Sequence, residues 1–353
     1  MHIEDRLRDR SVFVTGADGF VGSHLVHTLC EMGANVHAFV RATSSGELHN
    51  IRHRTDEITV HRGDLRDKHS VQEALSYLQG HDDSIIFHLG AQAHVGESWE
   101  RPYETIDSNI NGTLNLLQSI VDLDLDIYKF DTAGTSEEYG NIKEEMKGKH
   151  EVGDDGRVLL SERSPVNPTS VYATSKLAAD FLTMNYHDAY DLPTVTTRMF
   201  NNYGPRQNPR YITGTIITQA LGRDIVELGN LEPRRDMCFV EDGVRGHLHV
   251  ALEGNPGEQY VYGYGENISM RDWTEKILQV GSEYNYWEDP EIVQEEERYR
   301  PGDSDVEELL VGFEKLNEET GWEPKVSWED GIRRTIDWYA NNKESWYGRV
   351  DWR

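Results

Sequence analysis

The chain has 353 residues, a mean hydropathy of −0.67 and a formal net charge of −28, from 63 acidic and 35 basic side chains. This acidic balance disfavours a nucleic-acid-binding protein, and no apolar run reaches the roughly eighteen residues that a membrane-spanning helix needs. The N-terminal segment is charged throughout, unlike a secretory signal, and we therefore expect a cytoplasmic protein with no membrane partner.

Acidic residues are spread along the chain rather than collected in a tail. We interpret this distribution as halophilic, that is, as an acidic surface suited to high intracellular salt; an ordinary acidic enzyme is the alternative. The two cysteines, Cys30 and Cys238, are too few and too differently placed for a disulfide framework or a metal site. We predict that both are apolar filler and that the protein binds no metal.

Short β-branched runs alternate with helical periodicity through residues 1–200. The predicted strands cover residues 11–16, 35–40, 57–63, 84–90, 127–134 and 194–200, and predicted helices cover residues 21–33, 70–80 and 111–122. Strand and helix in alternation predict an α/β fold with a Rossmann-type, doubly wound parallel sheet. We assign residues 1–200 to this dinucleotide-binding domain.

The pattern loosens from residue 201 onwards into loops rich in Gly, Pro and Tyr, with helices at 213–222 and 328–340 and a strand at 258–265. We predict that residues 201–353 form a smaller C-terminal substrate-binding lobe, except for a segment, 236–252, that returns to the first domain. The charged segment 141–162 has little apolar content, so we expect it to be a surface excursion.

A glycine triplet, Gly16, Gly19 and Gly22, lies between the first predicted strand and the first predicted helix, with Phe20 and Val21 inside it. Glycines at these positions allow a tight turn, close approach of the backbone to a pyrophosphate and close contact between helix and strand. Because the flanking strand and helix are also present, we predict a dinucleotide site; a merely structural turn is the alternative.

The second predicted strand ends in Arg41 followed by hydroxyl-bearing residues, where a carboxylate would accept a hydrogen bond from the ribose of NAD. A guanidinium suits a 2′-phosphate, so we predict NADP, with NAD as the alternative. Asp64 follows the third strand and either meets the adenine or forms a surface turn. We also assign the residues next to the third and fourth strand ends to the cofactor site: Leu65, Leu89, Ala91 and Gln92.

Tyr172 and Lys176 are four residues apart and therefore share one helix face. A phenol becomes a usable base only if a neighbouring ammonium stabilises the phenolate, and this spacing allows it. A tyrosine and a lysine at this spacing are often a plain surface pair. Together with the glycine triplet and the hydroxyl of Thr135 at a strand end, they indicate a redox site.

The sequence resembles extended short-chain dehydrogenases/reductases, specifically nucleotide-sugar 4,6-dehydratases. The resemblance rests on "TGADGFVGSHL", "GDLRD", "HLGAQAHVGESWERP", "SNINGT", "TSEEYG", "SPVNPTSVYATSK", "FNNYGPRQNPR", "RRDMCFVEDGVRG" and the segment 298–325. The first half is most similar to GDP-mannose 4,6-dehydratases, and the second half to UDP-N-acetylglucosamine and dTDP-glucose 4,6-dehydratases.

The resemblance implies a role for each catalytic residue. Thr135, Tyr172 and Lys176 would form the redox centre, in which Tyr172 takes the C4 hydroxyl proton while hydride passes to NADP. Glu137 would then remove the C5 proton, and water would leave C6 with the help of Ser136 or of a proton from Glu137. The same hydride would return to C6. The alternative for Glu137 is a helix cap or a carboxylate that faces water.

Two residues depart from the family pattern: Gly134, before the threonine, and Glu138, after the glutamate. If Glu138 also faced the site, it could raise the pKa of Glu137. We expect Glu138 to face away from it.

The resemblance also implies which residues would hold a nucleotide-sugar substrate: Asn109, Asn201, Arg206, Arg235 and Arg300. A structural ion pair of Arg235 with Asp236 or Asp242 is the alternative for that residue, and we expect His94 to be structural.

We therefore expect a nucleotide-diphosphate-hexose 4,6-dehydratase of the GDP-mannose or UDP-N-acetylglucosamine type, assembled as a homodimer or homotetramer. A 4-epimerase or decarboxylase of the same fold is the alternative. A redox-inactive NADP-binding scaffold is disfavoured, because it would have no use for Glu137, Tyr172 and Lys176.

Overall fold

The computed structural model describes residues 3–153, 156–298 and 306–346. The strands are β1 (Ser11–Thr15), β2 (Asn35–Arg41), β3 (Thr59–Gly63), β4 (Ser84–His88), β5 (Ile127–Thr135), β6 (Glu151–Val152), β7 (Val158–Leu159), β8 (Thr194–Met199), β9 (Asn201–Tyr203), β10 (Ile225–Leu228), β11 (Arg234–Phe239), β12 (Gln259–Tyr262), β13 (Asn267–Ser269) and β14 (Glu291–Gln294).

The α-helices alternate with the first strands and dominate the last third of the chain. They are α1 (Ile3–Leu7), α2 (Phe20–Glu31), α3 (Lys68–Ser76), α4 (Val95–Glu100), α5 (Pro102–Ile106), α6 (Gly112–Asp122), α7 (Val171–Tyr190), α8 (Ile212–Ala220), α9 (Val240–Glu253), α10 (Met270–Glu283), α11 (Glu314–Thr320), α12 (Trp328–Asn341) and α13 (Lys343–Trp346). None of the described helices has the length and apolar character needed to cross a membrane.

Seven parallel strands form the main sheet, in the order β3-β2-β1-β4-β5-β8-β12. Every residue of β1 and β4 is buried, because helices cover both faces of the sheet. One apolar cluster lies between the sheet and α2 and α9, and a second lies between the sheet and α3 and α6. The predicted Rossmann-type α/β fold and its six predicted strands are confirmed.

The sheet differs from the prediction at one edge. The sequence places the strand at 258–265 in the smaller lobe, but β12 pairs with β8 and completes the main sheet. Its residues Tyr260, Val261 and Tyr262 are fully buried there. The part of the chain that returns to the first domain is therefore longer than the predicted segment, 236–252, and includes β12. The helix α9 is the crossover connection that a strand parallel to β8 requires.

The smaller lobe has its own core, built around Trp273, Ile336 and Tyr339 from α10 and α12. A three-stranded sheet, β9-β11-β13, lies beside this core and links it to the end of β8. The segment 141–162, predicted as a surface excursion, holds the small β6-β7 hairpin. One of its residues, Leu160, is fully buried and bridges to Val311, so this segment is anchored more firmly than its composition indicates.

Candidate active site

A cavity of about 2060 Å³ lies at the carboxyl edge of the main sheet and reaches into the smaller lobe. This edge is where parallel α/β sheets bind their ligands. Nineteen of the predicted site residues line the cavity, among them Gly16, Gly19, Phe20, Val21, Gly22, Arg41, Asp64, Leu65, Leu89, Ala91, Gln92, Thr135, Ser136, Glu137, Tyr172, Lys176, Asn201 and Arg206. Arg235 lines it as well, whereas Arg300 lies outside the described residues.

The glycine turn connects β1 to α2 and lines the cavity. Gly16 has φ +65°, and a Cβ on it would lie 2.9 Å from Gly90. A Cβ on Gly22 would meet the carbonyl oxygen of Gly16. The helix starts after Gly19 with no side-chain cap, so its first N–H groups remain available to an anion. These features fit the pyrophosphate of a dinucleotide.

Asp18, inside the glycine turn, binds the backbone of the loop that follows β2. Its carboxylate accepts hydrogen bonds from the backbone N–H groups of His49, Asn50 and Ile51, at 2.9, 2.7 and 3.0 Å. Sequence reasoning missed this contact, although an acidic residue within the turn was the available signal. The loop that follows Arg41 is therefore fixed against the turn.

Two charged residues mark the far end of the predicted cofactor region. The Arg41 guanidinium is exposed and donates a hydrogen bond to the Glu104 carboxylate at 3.0 Å. Asp64 accepts two hydrogen bonds from Arg66, at 2.6 and 2.9 Å, and these lower the pKa of Asp64. Both Arg41 and Asp64 are thus placed at the cavity with an ionic partner from the protein itself.

The predicted catalytic residues come together where β5 ends. Thr135 is the last residue of β5, and a 3₁₀ turn, Ser136–Glu138, follows it. Tyr172 and Lys176 lie in the first turns of α7, whose N-terminus is capped by the Ser170 hydroxyl. The Thr135 hydroxyl accepts a hydrogen bond from the Glu137 backbone N–H at 3.3 Å and lies close enough to the Tyr172 phenol to affect its pKa. The hydroxyl, the phenol, the ammonium and the Glu137 carboxylate all line one cavity.

Burial controls the electrostatics of this group. Burial raises the pKa of Tyr172 above its usual range, the nearby Tyr211 raises it further, and the Thr135 hydroxyl opposes the rise. Burial also lowers the pKa of Lys176, which is 4 % exposed, while the charges of Glu138 and Asp180 oppose that change. The phenol therefore needs positive charge nearby before it can act as a base.

Glu138 faces away from the cavity, as expected. Its carboxylate accepts a hydrogen bond from the backbone N–H of Thr135 at 2.9 Å, and it forms a capping box with that residue. Glu138, rather than Glu137, is therefore the carboxylate of the capping box. Glu137 is 7 % exposed and lines the cavity.

Family models and solved structures can now be compared with this site. The family model described as "GDP-mannose 4,6 dehydratase" matches residues 13–335. The chain belongs to this family. It is also 30 % identical to a dTDP-glucose 4,6-dehydratase from Xanthomonas campestris, over 96 % of this chain and 95 % of that protein.

Two solved structures show what the family shares and where it divides. DesIV, a dTDP-glucose 4,6-dehydratase from Streptomyces venezuelae crystallised with NAD and TYD, has a TM-score of 0.81 and 28 % identity over 96 % of this chain and 99 % of its own. A UDP-glucose 4-epimerase from Thermotoga maritima has a TM-score of 0.80 and 26 % identity over 94 % and 99 %. The backbone thus resembles dehydratases and epimerases alike.

Asn109 does not line the cavity of this family member. It lies behind the cofactor region, where its side chain accepts a hydrogen bond from the Gln92 N–H at 2.8 Å and donates one to the Ser175 hydroxyl at 2.8 Å. Asn109 therefore holds the loop after β4 against α7. Its effect on a bound ligand would pass through Gln92.

Arg206 and Arg235 have backbone partners. Arg206 donates to the Ser23 carbonyl at 3.2 Å, and Arg235, which is 5 % exposed, donates to the Arg234 carbonyl at 3.0 Å. Asp236 accepts hydrogen bonds from the backbone N–H groups of Tyr264 and Gly265, and Asp242 pairs with Arg245.

Tyr211 is the main site residue that sequence reasoning missed. It precedes α8 in the smaller lobe, lines the cavity, and donates a hydrogen bond to the Ala93 carbonyl at 3.0 Å. Its ring lies edge-on to His94, and its hydroxyl is close enough to raise the pKa of Tyr172. His94 in turn caps α4 by accepting the Glu97 N–H. An aromatic residue immediately before a helix was the only local signal.

Proposed function

We propose that this protein is a nucleotide-diphosphate-hexose 4,6-dehydratase that produces a 4-keto-6-deoxy sugar nucleotide. The observation that carries the proposal is the Glu137 carboxylate, which lines the same cavity as Thr135, Tyr172 and Lys176. A redox centre alone requires only the last three residues. A carboxylate beside them supplies the additional base that elimination of water requires.

Each step of the proposed reaction has a named residue. Bound NAD(P) supplies reversible acceptance of hydride. Tyr172 removes the C4 hydroxyl proton, Lys176 stabilises the resulting phenolate, and Thr135 hydrogen-bonds the C4 oxygen. The 4-ketone acidifies the neighbouring C5 hydrogen, which Glu137 removes while Ser136 assists departure of the C6 hydroxyl as water. The hydride taken from C4 then returns to C6 of the resulting alkene while Glu137 returns a proton to C5, which gives the 4-keto-6-deoxy sugar and restores the cofactor to its oxidised form.

A 4-epimerase is the second candidate, because solved 4-epimerases share this backbone. The two reactions use the same oxidation at C4 and diverge afterwards. An epimerase returns hydride to C4 and has no use for a base at C5. Glu137 therefore favours the dehydratase.

The cofactor we propose is NADP. Support comes from the exposed guanidinium of Arg41 at the cavity, since a guanidinium binds phosphate oxygens bidentately. The Glu104 carboxylate already accepts a hydrogen bond from that guanidinium, so a 2′-phosphate would have to displace the carboxylate. Crystallised relatives carry NAD, which is the alternative.

Titration of each dinucleotide into the protein tests the cofactor proposal. Arg41→Ala should weaken NADP binding by about tenfold or more and leave NAD binding unchanged, as expected for loss of a charge-assisted contact. Glu104→Gln should strengthen NADP binding. Equal effects of Arg41→Ala on both dinucleotides would show that the protein does not read the 2′-phosphate.

The substrate we propose is GDP-mannose or UDP-N-acetylglucosamine, with dTDP-glucose as the competing choice because several relatives bear that name. Arg206 and Arg235 line the cavity on the smaller-lobe side, and they would offset the repulsion between a diphosphate and an acidic protein. Incubation with each of the three sugar nucleotides, followed by NMR of the product, distinguishes a 4-keto-6-deoxy sugar from a 4-epimer. Appearance of only the 4-epimer would overturn the proposal.

We also propose that the protein assembles as a homodimer or homotetramer. α5, α6 and α7 pack together and leave large apolar side chains exposed, among them Tyr103 at 89 % and Phe181 at 51 %. Exposed apolar patches of this kind are typical of protein interfaces. Sedimentation should show an oligomer for the native chain and a shift towards monomer for Phe181→Glu.

A further inference from the structure

A cluster of buried charges lies directly behind the catalytic residues, on the side away from the cavity. Arg198, on β8, is 2 % exposed, and Glu138 and Asp180 are fully buried. The Arg198 Nε atom lies 2.8 Å from Glu138 Oε2 and 2.9 Å from Asp180 Oδ2. Two carboxyl groups thus converge on one guanidinium N–H, although a single N–H donates fully to only one acceptor at a time.

The remaining oxygen atoms show the same excess of acceptors. Glu138 Oε2 and Asp180 Oδ1 are both buried without a donor among the described atoms. The other recorded contact of the guanidinium is with Tyr139, whose hydroxyl accepts from Arg198 at 3.4 Å and whose ring lies 5.3 Å away. Two buried carboxyl groups that converge on one guanidinium N–H are satisfied if a proton lies between them.

Gly134 provides the space for this arrangement. A Cβ at residue 134 would lie 2.9 Å from Glu138 Oε1 and 3.1 Å from Asp180 Oδ1. The two departures from the family pattern, Gly134 and Glu138, are therefore one structural feature: the missing side chain leaves room for the additional carboxyl group.

We propose that Glu138 is a positioning residue of this active site, held as a neutral acid that donates a hydrogen bond to Asp180 while its other oxygen holds the backbone N–H of Thr135. Asp180 alone then balances Arg198. The structural part of this inference stands independently, and its catalytic part rests on the proposed dehydratase function.

The neutral state of Glu138 matters because of Lys176. Asp180 lies one helical turn beyond Lys176 on α7, so Lys176, Asp180, Arg198 and Glu138 form one electrostatic group. With Glu138 neutral, the Lys176 ammonium is not cancelled by an additional anion and can stabilise the phenolate of Tyr172. Burial and the Asp180 charge raise the pKa of Glu138, and Arg198 opposes them, which agrees with this arrangement.

The proposal predicts that the two carboxyl groups respond differently to the same substitution. Glu138→Gln replaces a neutral acid by a neutral amide, which can still donate a hydrogen bond to Asp180 and accept one from the Thr135 N–H. The melting temperature of this variant should therefore stay within about 2 °C of the native value. Asp180→Asn removes the anion that balances a buried arginine and should lower the melting temperature by more than about 5 °C. If both variants are equally destabilised, Glu138 is ionised and the proposal fails.

The catalytic part has its own readout. Ionisation of Glu138 at alkaline pH would place a second anion near Lys176 and offset the charge of its ammonium, so the native enzyme should lose turnover at high pH. Glu138→Gln should remove that alkaline decline and retain kcat within about threefold. Glu138→Val should lose about tenfold in kcat, because the Thr135 N–H then has no acceptor. An unchanged alkaline decline in Glu138→Gln would overturn the catalytic role. If the native protein shows no turnover, the proposed function fails, and the melting temperatures still decide the charge state.

Discussion

Two adjacent carboxylates, Glu137 and Glu138, occupy opposite environments at the end of β5. Glu137 lines the ligand cavity, whereas Glu138 is fully buried on the core side, against Arg198. The 3₁₀ turn separates them, because consecutive side chains in such a turn point in different directions. Chemical type alone therefore does not assign a role here: we propose that the same functional group is a base on one side of the turn and a positioning acid on the other.

The largest expected effect is on the cavity side. Glu137→Gln should lower the rate of dehydration by about 10²–10⁴-fold, since it removes the proposed general base while the side chain keeps nearly the same size. Cofactor binding, measured by titration, should be retained, because the glycine turn is untouched. Full turnover in this variant would remove Glu137 from the mechanism and would leave the two carboxylates without a functional difference.

The next effect is on the core side. Gly134→Ala should destabilise the protein by about 1–3 kcal/mol in urea unfolding, because the added methyl group meets Glu138 and Arg198. Gly148→Ala is the matched control, since a Cβ there meets nothing within 4 Å. The double variant Gly134→Ala with Glu138→Val should recover part of the loss. Identical stability of Gly134→Ala and the native chain would show that the two residues are not matched.

His88, at the end of the neighbouring strand β4, extends the comparison to another buried titratable group. It lies between the hydroxyls of Thr15 and Thr113, and burial lowers its pKa from 6.5 to about 3. The folded protein holds it neutral, so its contribution to stability is complete above pH 6.5 and is lost as the pH falls towards 3.

The predicted slope is up to about 1.4 kcal/mol per pH unit in the free energy of unfolding over that interval. Urea unfolding at pH 7 and pH 5 should give a smaller difference for His88→Gln than for the native chain. An equal difference in the two proteins would show that His88 does not cause the acid sensitivity.

The smallest expected effect concerns the surface. If the net charge of −28 is an adaptation to salt, the melting temperature should rise by several degrees between about 0.1 M and 2 M KCl, because salt screens repulsion among exposed carboxylates. Buried groups such as Glu138 are screened much less, so the difference between Glu138→Gln and Asp180→Asn should persist in high salt. A melting temperature independent of salt would contradict the halophilic interpretation.

The sequence predicts those parts of the site that depend on short spacings. The glycine triplet, the Tyr172–Lys176 pair and six strands of the main sheet can be recognised within windows of a few residues. Asp180 was within reach of the same reasoning, since it follows Lys176 by four residues. The contact between Arg198 and Glu138 could not be predicted in this way, because it forms only when β8 pairs with β5. The position of Tyr211 depends on how the smaller lobe closes over the cavity, which no local pattern encodes.

Deuterium incorporation at C5 tests the central claim most directly. In D₂O, turnover of the accepted sugar nucleotide should yield a 4-keto-6-deoxy product with solvent deuterium at C5, because a carboxylate that removes the C5 proton exchanges it with solvent. Glu137→Gln should give no such product while it still binds the dinucleotide. A product that retains hydrogen at C5, or deuterium incorporation that survives the loss of Glu137, would contradict the account.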